Sequence, residues 1–166
     1  SHPALTLGRA VTANPMTWCG DCLYCRRGLN HLCRTRKLVG AHRPGAYARR
    51  VAVPAAVVLP LPDGLSLREA ALAEPTAVAL RIAAMAGDVA GETVLVLGAG
   101  PIGLLSLQTL HLRGAARVFV ADLDPARLEM AAALGGIPLD PRQTDVVQTV
   151  RDATDGLGAA ASVDAV

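Results

Sequence analysis

Aromatic side chains are almost missing from this chain: its 166 residues include one Trp, two Tyr and one Phe. A core must therefore be assembled from Ala, Val and Leu. Lysine is nearly absent too, because fifteen of the sixteen basic residues are arginine. The net charge of +2 is too small to point to a nucleic-acid partner. No apolar run reaches the about 20 residues needed to span a bilayer. Ser1-His2-Pro3 has neither the basic start nor the apolar segment of a secretory signal. These absences set the expectation of a cytoplasmic protein that binds neither membrane nor nucleic acid. Repeats and low-complexity segments are lacking. So is any Ser/His/Asp or Cys/His arrangement for nucleophilic catalysis, since His2, His42 and His111 are scattered.

Cysteine is also missing everywhere except one stretch. Cys19, Cys22, Cys25 and Cys33 are the only four, spaced C-x2-C-x2-C-x7-C. In the cytoplasm such thiols favour metal over disulfides. Four thiolates around Zn2+ make a closed tetrahedral site, which is structural in type. An iron–sulfur cluster usually has a tighter last gap followed by proline, whereas here Arg34 follows. A zinc finger on nucleic acid would bring a His pair, which is absent. His31 reads as a loop histidine rather than a ligand. Arg26, Arg27, Arg34, Arg36 and Lys37 would offset the formal −2 of a zinc tetrathiolate.

Glu92 to Leu110, ETVLVLGAGPIGLLSLQTL, reads as a buried strand, a glycine turn and a helix. A strand, then G-x-G-x-x-G, then a helix is the pattern of a dinucleotide site. Gly98 permits the tight turn, Gly100 leaves room for a pyrophosphate, and Gly103 lets helix and strand pack closely. The phosphates would lie on the helix N-terminus, where free N–H groups favour anions. Asp122 ends the next strand, nineteen residues after Gly103. An acid there accepts hydrogen bonds from the adenosine ribose and repels a 2′-phosphate, which predicts NAD over NADP. The ordinary alternative is a turn aspartate. Arg127, in the first turn of the following helix, could reach ribose or phosphate or be solvated. Glu74 is a lone acid in ALAEPTAVAL, either a helix-start acid favoured by the dipole or a site residue.

Along the chain, residues 4–13 and 45–53 read as strands, and 57–62 as an extended, proline-punctuated segment. Tyr47 reads as a packing residue. Ser66-Leu67-Arg68-Glu69 is a capping box. Pro75 predicts a break at Glu74 and a new helix over 76–85. From Glu92 onward strands (93–97, 117–121, 137–139, 160–166) alternate with helices, the pattern of a parallel sheet. The expected domain junction is at Glu74, between 1–74 with the cysteine loop and 75–166 with the glycine turn.

In combination, CGDCLYCRRGLNHLC (19–33), RPGAYARRVAVP (43–54), ALAEPTAVAL (71–80), TVLVLGAGPIGLLSLQ (93–108) and VADLDPARLEMAAALG (120–135) resemble the zinc-dependent medium-chain dehydrogenases. The similarity is closest to the sorbitol and threonine dehydrogenase branch. It implies an α/β fold: a Rossmann-type parallel sheet preceded by part of a GroES-like β domain with a four-cysteine zinc lobe. It implies that Cys19, Cys22, Cys25 and Cys33 hold structural zinc, and that the turn with Gly98, Gly100, Pro101 and Gly103 binds the NAD pyrophosphate. Ile102 would lie beside the coenzyme, Asp122 on the ribose, and Arg127 in contact with the coenzyme. Glu74 would face a catalytic zinc. The activity implied is reversible oxidation of a secondary alcohol or polyol by a homo-oligomer. The family's catalytic cysteine and Gly-His-Glu segment have no match, and His2, followed by Pro3, is no substitute. The chain is therefore expected to be an internal fragment, inactive alone. The alternative is a non-catalytic zinc- and nucleotide-binding module.

Overall fold

The computed structural model describes residues 5–166. Residue 4, where the first strand is expected to open, and His2 lie outside the described residues. The chain divides into two compact units, Ser1–Ala73 and Glu74–Val166.

The first unit is built of short pieces. Strand β1 (Val11–Ala13) pairs antiparallel with β4 (Val58–Pro60), and β2 (Met16–Thr17) with β3 (Lys37–Leu38). Between β2 and β3 lie helix α1 (Leu23–Arg26) and a 3-10 turn, Asn30–Leu32. A second 3-10 turn, Ala55–Val57, leads into β4. Arg9 ties the β1 side of this unit to the chain beyond β4, donating to the Leu61 carbonyl at 2.7 Å and pairing with Asp63 at 3.0 Å. The capping box is present: Ser66 Oγ accepts from the Glu69 N–H, and the Glu69 carboxylate accepts from the Ser66 N–H, opening α2 (Leu67–Ala70).

Residues 45–53 do not form the expected strand; they are irregular, and Tyr47 is fully exposed rather than packed. A strand needs a neighbour to take its N–H and C=O groups. No strand among the described residues lies alongside this one.

Helix α3 (Ala73–Met85) begins before Pro75, so Glu74 is helical rather than a break. Proline is tolerated in a first turn because its missing N–H would have no intrahelical partner there. The rest of the second unit alternates β5 (Thr93–Leu97), α4 (Pro101–Leu112), β6 (Arg117–Ala121), α5 (Pro125–Ala133), β7 (Ile137–Leu139), α6 (Val146–Asp152) and β8 (Ala161–Asp164). The four strands form one parallel sheet in the order β7-β6-β5-β8.

Period-2 alternation puts opposite side chains on opposite faces. Val94, Val96, Val118, Val120 and Val163 pack on one face with Leu107 and Leu110 of α4, Ala131 of α5 and Ala83 of α3. Phe119, Ala121 and Leu139 pack on the other with Val150 of α6. Burial of each large apolar side chain among these contributes about 1.5–3 kcal/mol. Both faces are covered, as a parallel sheet requires. Among the described residues no helix is long and apolar enough to cross a membrane.

Candidate metal and dinucleotide sites

The four cysteines converge within the first unit. Their Sγ atoms all lie within 4.8 Å of one another. Cys19 to Cys25, Cys22 to Cys25 and Cys19 to Cys33 are separated by 3.9, 3.5 and 3.6 Å. Four sulfurs at about 2.3 Å from one tetrahedral zinc would stand ~3.8 Å apart. The cage therefore suits that ion, and all four cysteines are free. Local structure presents them: Cys22 precedes the first residue of α1, and Cys33 follows the 3-10 turn.

Backbone donors aim at the sulfurs. The Cys22 N–H donates to Cys19 Sγ at 3.4 Å, and the Cys19 N–H to Cys33 Sγ at 3.5 Å. The Cys19 N–H and the Thr35 hydroxyl lower the Cys33 thiol to about 6. Burial pushes Cys25 up to about 12. Arg26 does not turn its charge to the cluster; its guanidinium pairs with Asp21 at 2.8 Å. His31 is exposed and outside the group of candidate ligands.

In the second unit the glycine turn joins β5 to α4. Gly98 has φ +92°, a conformation that favours glycine, and a Cβ there would stand 2.9 Å from the Ala165 carbonyl oxygen. At Gly103 a Cβ would overlap the Gly98 carbonyl oxygen. Packing thus explains both. Gly100 is different: its backbone is extended, and a Cβ would meet nothing within 4 Å. Among the described residues no atom requires that glycine, and Gly100 lines a cavity. Pro101 is the first residue of α4, and the first turn leaves the Ile102 and Gly103 N–H groups without intrahelical partners.

That cavity, about 760 Å³, is lined by Leu97, Gly98, Gly100, Asp122 and Ala165 at the carboxyl ends of the strands and by Arg127 of α5, among others. The chain runs β5 to β6 to β7 in one direction and then returns to place β8 on the other side of β5. The carboxyl ends of β5 and β8 thus form a topological switch point, where open α/β sheets bind ligands.

Asp122 links the cavity's two walls. Its Oδ2 accepts from the Ala99 N–H of the glycine turn at 2.7 Å, and its Oδ1 from the Asp124 N–H at 2.8 Å. Burial works to raise its carboxyl, but these two N–H groups and the Arg127 charge outweigh it and hold it below the ordinary aspartate value. Arg127 stands 3.8 Å from Asp122 and 3.7 Å from Asp124.

Of the residues singled out in the sequence, Gly98, Gly100, Asp122 and Arg127 come together around one cavity. Pro101, Ile102 and Gly103 start the adjoining helix without lining it. Glu74 is apart, exposed in the first turn of α3 with no hydrogen-bond or ion-pair partner among the described residues. Asp124 stands just before Pro125, at the place of a helix cap. It does cap α5, accepting from the Ala126 N–H at 2.9 Å, but it also lines the cavity, as do Leu123 and Pro141. The rule that ligands bind at carboxyl strand ends points to these positions, since Leu123 and Pro141 closely follow β6 and β7.

Two family models match the chain. One, described as alcohol dehydrogenase GroES-like domain, covers residues 1–63; the other, zinc-binding dehydrogenase, covers 101–166. The chain is 40% identical over 131 residues to L-threonine 3-dehydrogenase of Legionella pneumophila (strain Corby), a match that covers 79% of the chain and 38% of that protein. A zinc-binding dehydrogenase from Sinorhizobium meliloti 1021 bound to NADP superposes with a TM-score of 0.80 at 34% identity, covering 87% of the chain and 43% of that structure. An alcohol dehydrogenase from E. coli CFT073 complexed with NADH gives a TM-score of 0.83 at 31% identity, covering 95% and 47%. The chain thus spans less than half the length of these relatives. One model falls on the unit with the cysteine cage and the other on the unit with the glycine turn, and the chain belongs to the zinc-dependent medium-chain alcohol dehydrogenase family.

Proposed function

We propose that these residues form part of an NAD-linked zinc oxidoreductase that interconverts a secondary alcohol or polyol with its ketone. The observation that carries this reading is the cavity at the switch point, with Gly100 open towards it and Asp122 on its wall. The similarity to an L-threonine 3-dehydrogenase supports the substrate class, because carbon 3 of threonine carries a secondary hydroxyl.

In this reading the first unit is a partial catalytic domain, and Cys19, Cys22, Cys25 and Cys33 hold a structural zinc that closes its loop. The second unit is the coenzyme domain. The Ile102 and Gly103 N–H groups take the pyrophosphate, and Gly100 leaves the room it needs. Each Asp122 oxygen has one backbone donor and keeps a lone pair for a ribose hydroxyl. Its charge disfavours a 2′-phosphate, so NAD is the proposed coenzyme. Arg127 braces the two acids and borders the ribose. Glu74 serves the catalytic metal site of the whole enzyme. A bound nicotinamide would supply the hydride acceptor, and a catalytic zinc of the whole enzyme would supply the Lewis acid for the alcohol. Small-molecule substrate, cytoplasmic location and homo-oligomeric assembly complete the proposal; the 166 residues alone are proposed to be inactive.

Asp122→Ala tests the coenzyme part by NADH titration in the full-length protein, with melting temperature followed in parallel. Binding is expected to weaken by about 1.5–3 kcal/mol, the value of a hydrogen bond to a charged group. An unchanged affinity would make Asp122 a turn residue only. NADH binding without alcohol-dependent NADH formation would favour the non-catalytic module.

A further inference from the structure

The turn after β7 has no part in the reading above, yet it grips the cavity wall. The Asp140 side chain is only 11% exposed. Its Oδ1 accepts from the Arg142 backbone N–H at 3.0 Å and from Arg142 Nε at 2.9 Å. Its Oδ2 accepts from Arg142 Nη2 at 2.8 Å and from Gln143 Nε2 at 2.9 Å. The two-pronged contact locks the planar guanidinium in one orientation. In that orientation Nη2 also donates to the Leu123 carbonyl oxygen at 2.7 Å.

Leu123 sits between Asp122 and Asp124, and all three line the cavity together with Pro141. A carbonyl at a half-exposed loop can be satisfied by water. A side chain held on it by a nearly buried carboxylate therefore adds position. The same loop is tied at its start, where the Asp122 N–H donates to the Leu139 carbonyl at 3.2 Å. The strand-end loop is thus gripped from the β7 side before and after the Asp122 side chain leaves it.

We propose that Asp140 and Arg142 are positioning residues of the dinucleotide pocket: their clip on the Leu123 carbonyl holds the Asp122 carboxylate where it receives the adenosine ribose and turns away a 2′-phosphate. This rests on the NAD reading of the cavity. Charge alone makes the opposite forecast for one variant. The charged groups named around this end are Asp122, Asp124, Asp140, Arg127 and Arg142. Removing the Arg142 charge makes the region more negative, and by electrostatics it would reject the extra phosphate of NADPH more strongly. Loss of position would relax the rejection.

The test is titration of the full-length protein and its Arg142→Met variant with NADH and NADPH, by coenzyme fluorescence. NADH affinity is expected to fall about tenfold, with NADPH affinity falling less, so that the preference narrows. A preference that stays constant or widens overturns the proposal, whether or not both affinities drop. Should Arg142→Met fail to fold, Arg142→Gln is read in the same way at this half-exposed position. Failure of the unsubstituted protein to bind NADH would sink the pocket reading itself, a different result from an unchanged preference.

Discussion

Cys33, Val57, Leu61 and Ala70 are the buried apolar residues of the first unit among the described residues, whereas the second unit carries two continuous apolar clusters on either face of its sheet. The first has strands of two and three residues and helices of four. The second has five-residue central strands and helices of up to thirteen. A unit that buries little apolar surface needs another source of order, and the cysteine cage supplies one: metal binding free energy is folding free energy. The second unit needs no such staple, because its parallel strands are covered on both sides. The lesson is that one chain can hold two sites by different means. One is a cage of four thiols gathered by a loop; the other is a crevice at the carboxyl ends of a sheet's strands.

Removing the metal should break this contrast most sharply. Metal analysis is expected to find about one zinc per chain, and chelation, or Cys22→Ser, to abolish it. Hydrogen exchange should then accelerate over residues 14–38 while the sheet stays protected. Equal loss of protection in both units would show that the second also depends on the metal. The reciprocal change is Leu107→Ala, which empties a fully buried position of α4. It should cost about 2–5 kcal/mol in denaturant unfolding and leave zinc content unchanged.

Within the second unit acid is expected to act more gently, and chiefly beside the cavity. Arg142 holds the Asp140 carboxyl far below its usual range, and backbone N–H groups hold Asp122 lower as well. A carboxyl lowered by folding contributes stability that is complete above its unfolded value, about 3.9 for aspartate. That contribution is lost as pH falls below that value and through the folded one. Unfolding of the second unit, measured from pH 6 downward, should show a plateau and then a decline beginning near pH 4. Asp140→Asn should flatten the decline; an unaltered curve would remove Asp140 from the account. The smallest effect belongs to the first unit, where Ser66→Ala should cost about 1 kcal/mol by deleting the cap of α2.

Both site motifs were legible in the sequence because each is local. Four cysteines within fifteen residues can meet whatever the rest of the chain does. A strand, three spaced glycines and a helix define their own turn. The strand that ends at Ala121 and the capping box at Ser66 were legible for the same reason. The segment 45–53 was not: its residue types suit a strand, but a strand is defined by its partner. Glu74 shows the limit at the site itself, since its motif suggests a role and its surroundings, an exposed first helical turn, name no partner among the described residues.

The sequence by itself determined the cluster of four thiols, the glycine turn, the alternation of strands and helices and the acid at the end of β6. Spacing over a few residues is enough for each, because chain geometry brings such groups together at little entropic cost. Only the tertiary structure decided that Gly98 and Gly103 answer to packing while Gly100 answers to open space. It also decided that Asp140 and Arg142 grip the loop of Asp122 through the Leu123 carbonyl, nineteen residues away from Arg142 along the chain. Those relations join β5, β6, β7 and β8. They exist only once the sheet has set the strands side by side, and strand order is a property of the whole fold rather than of any segment in it.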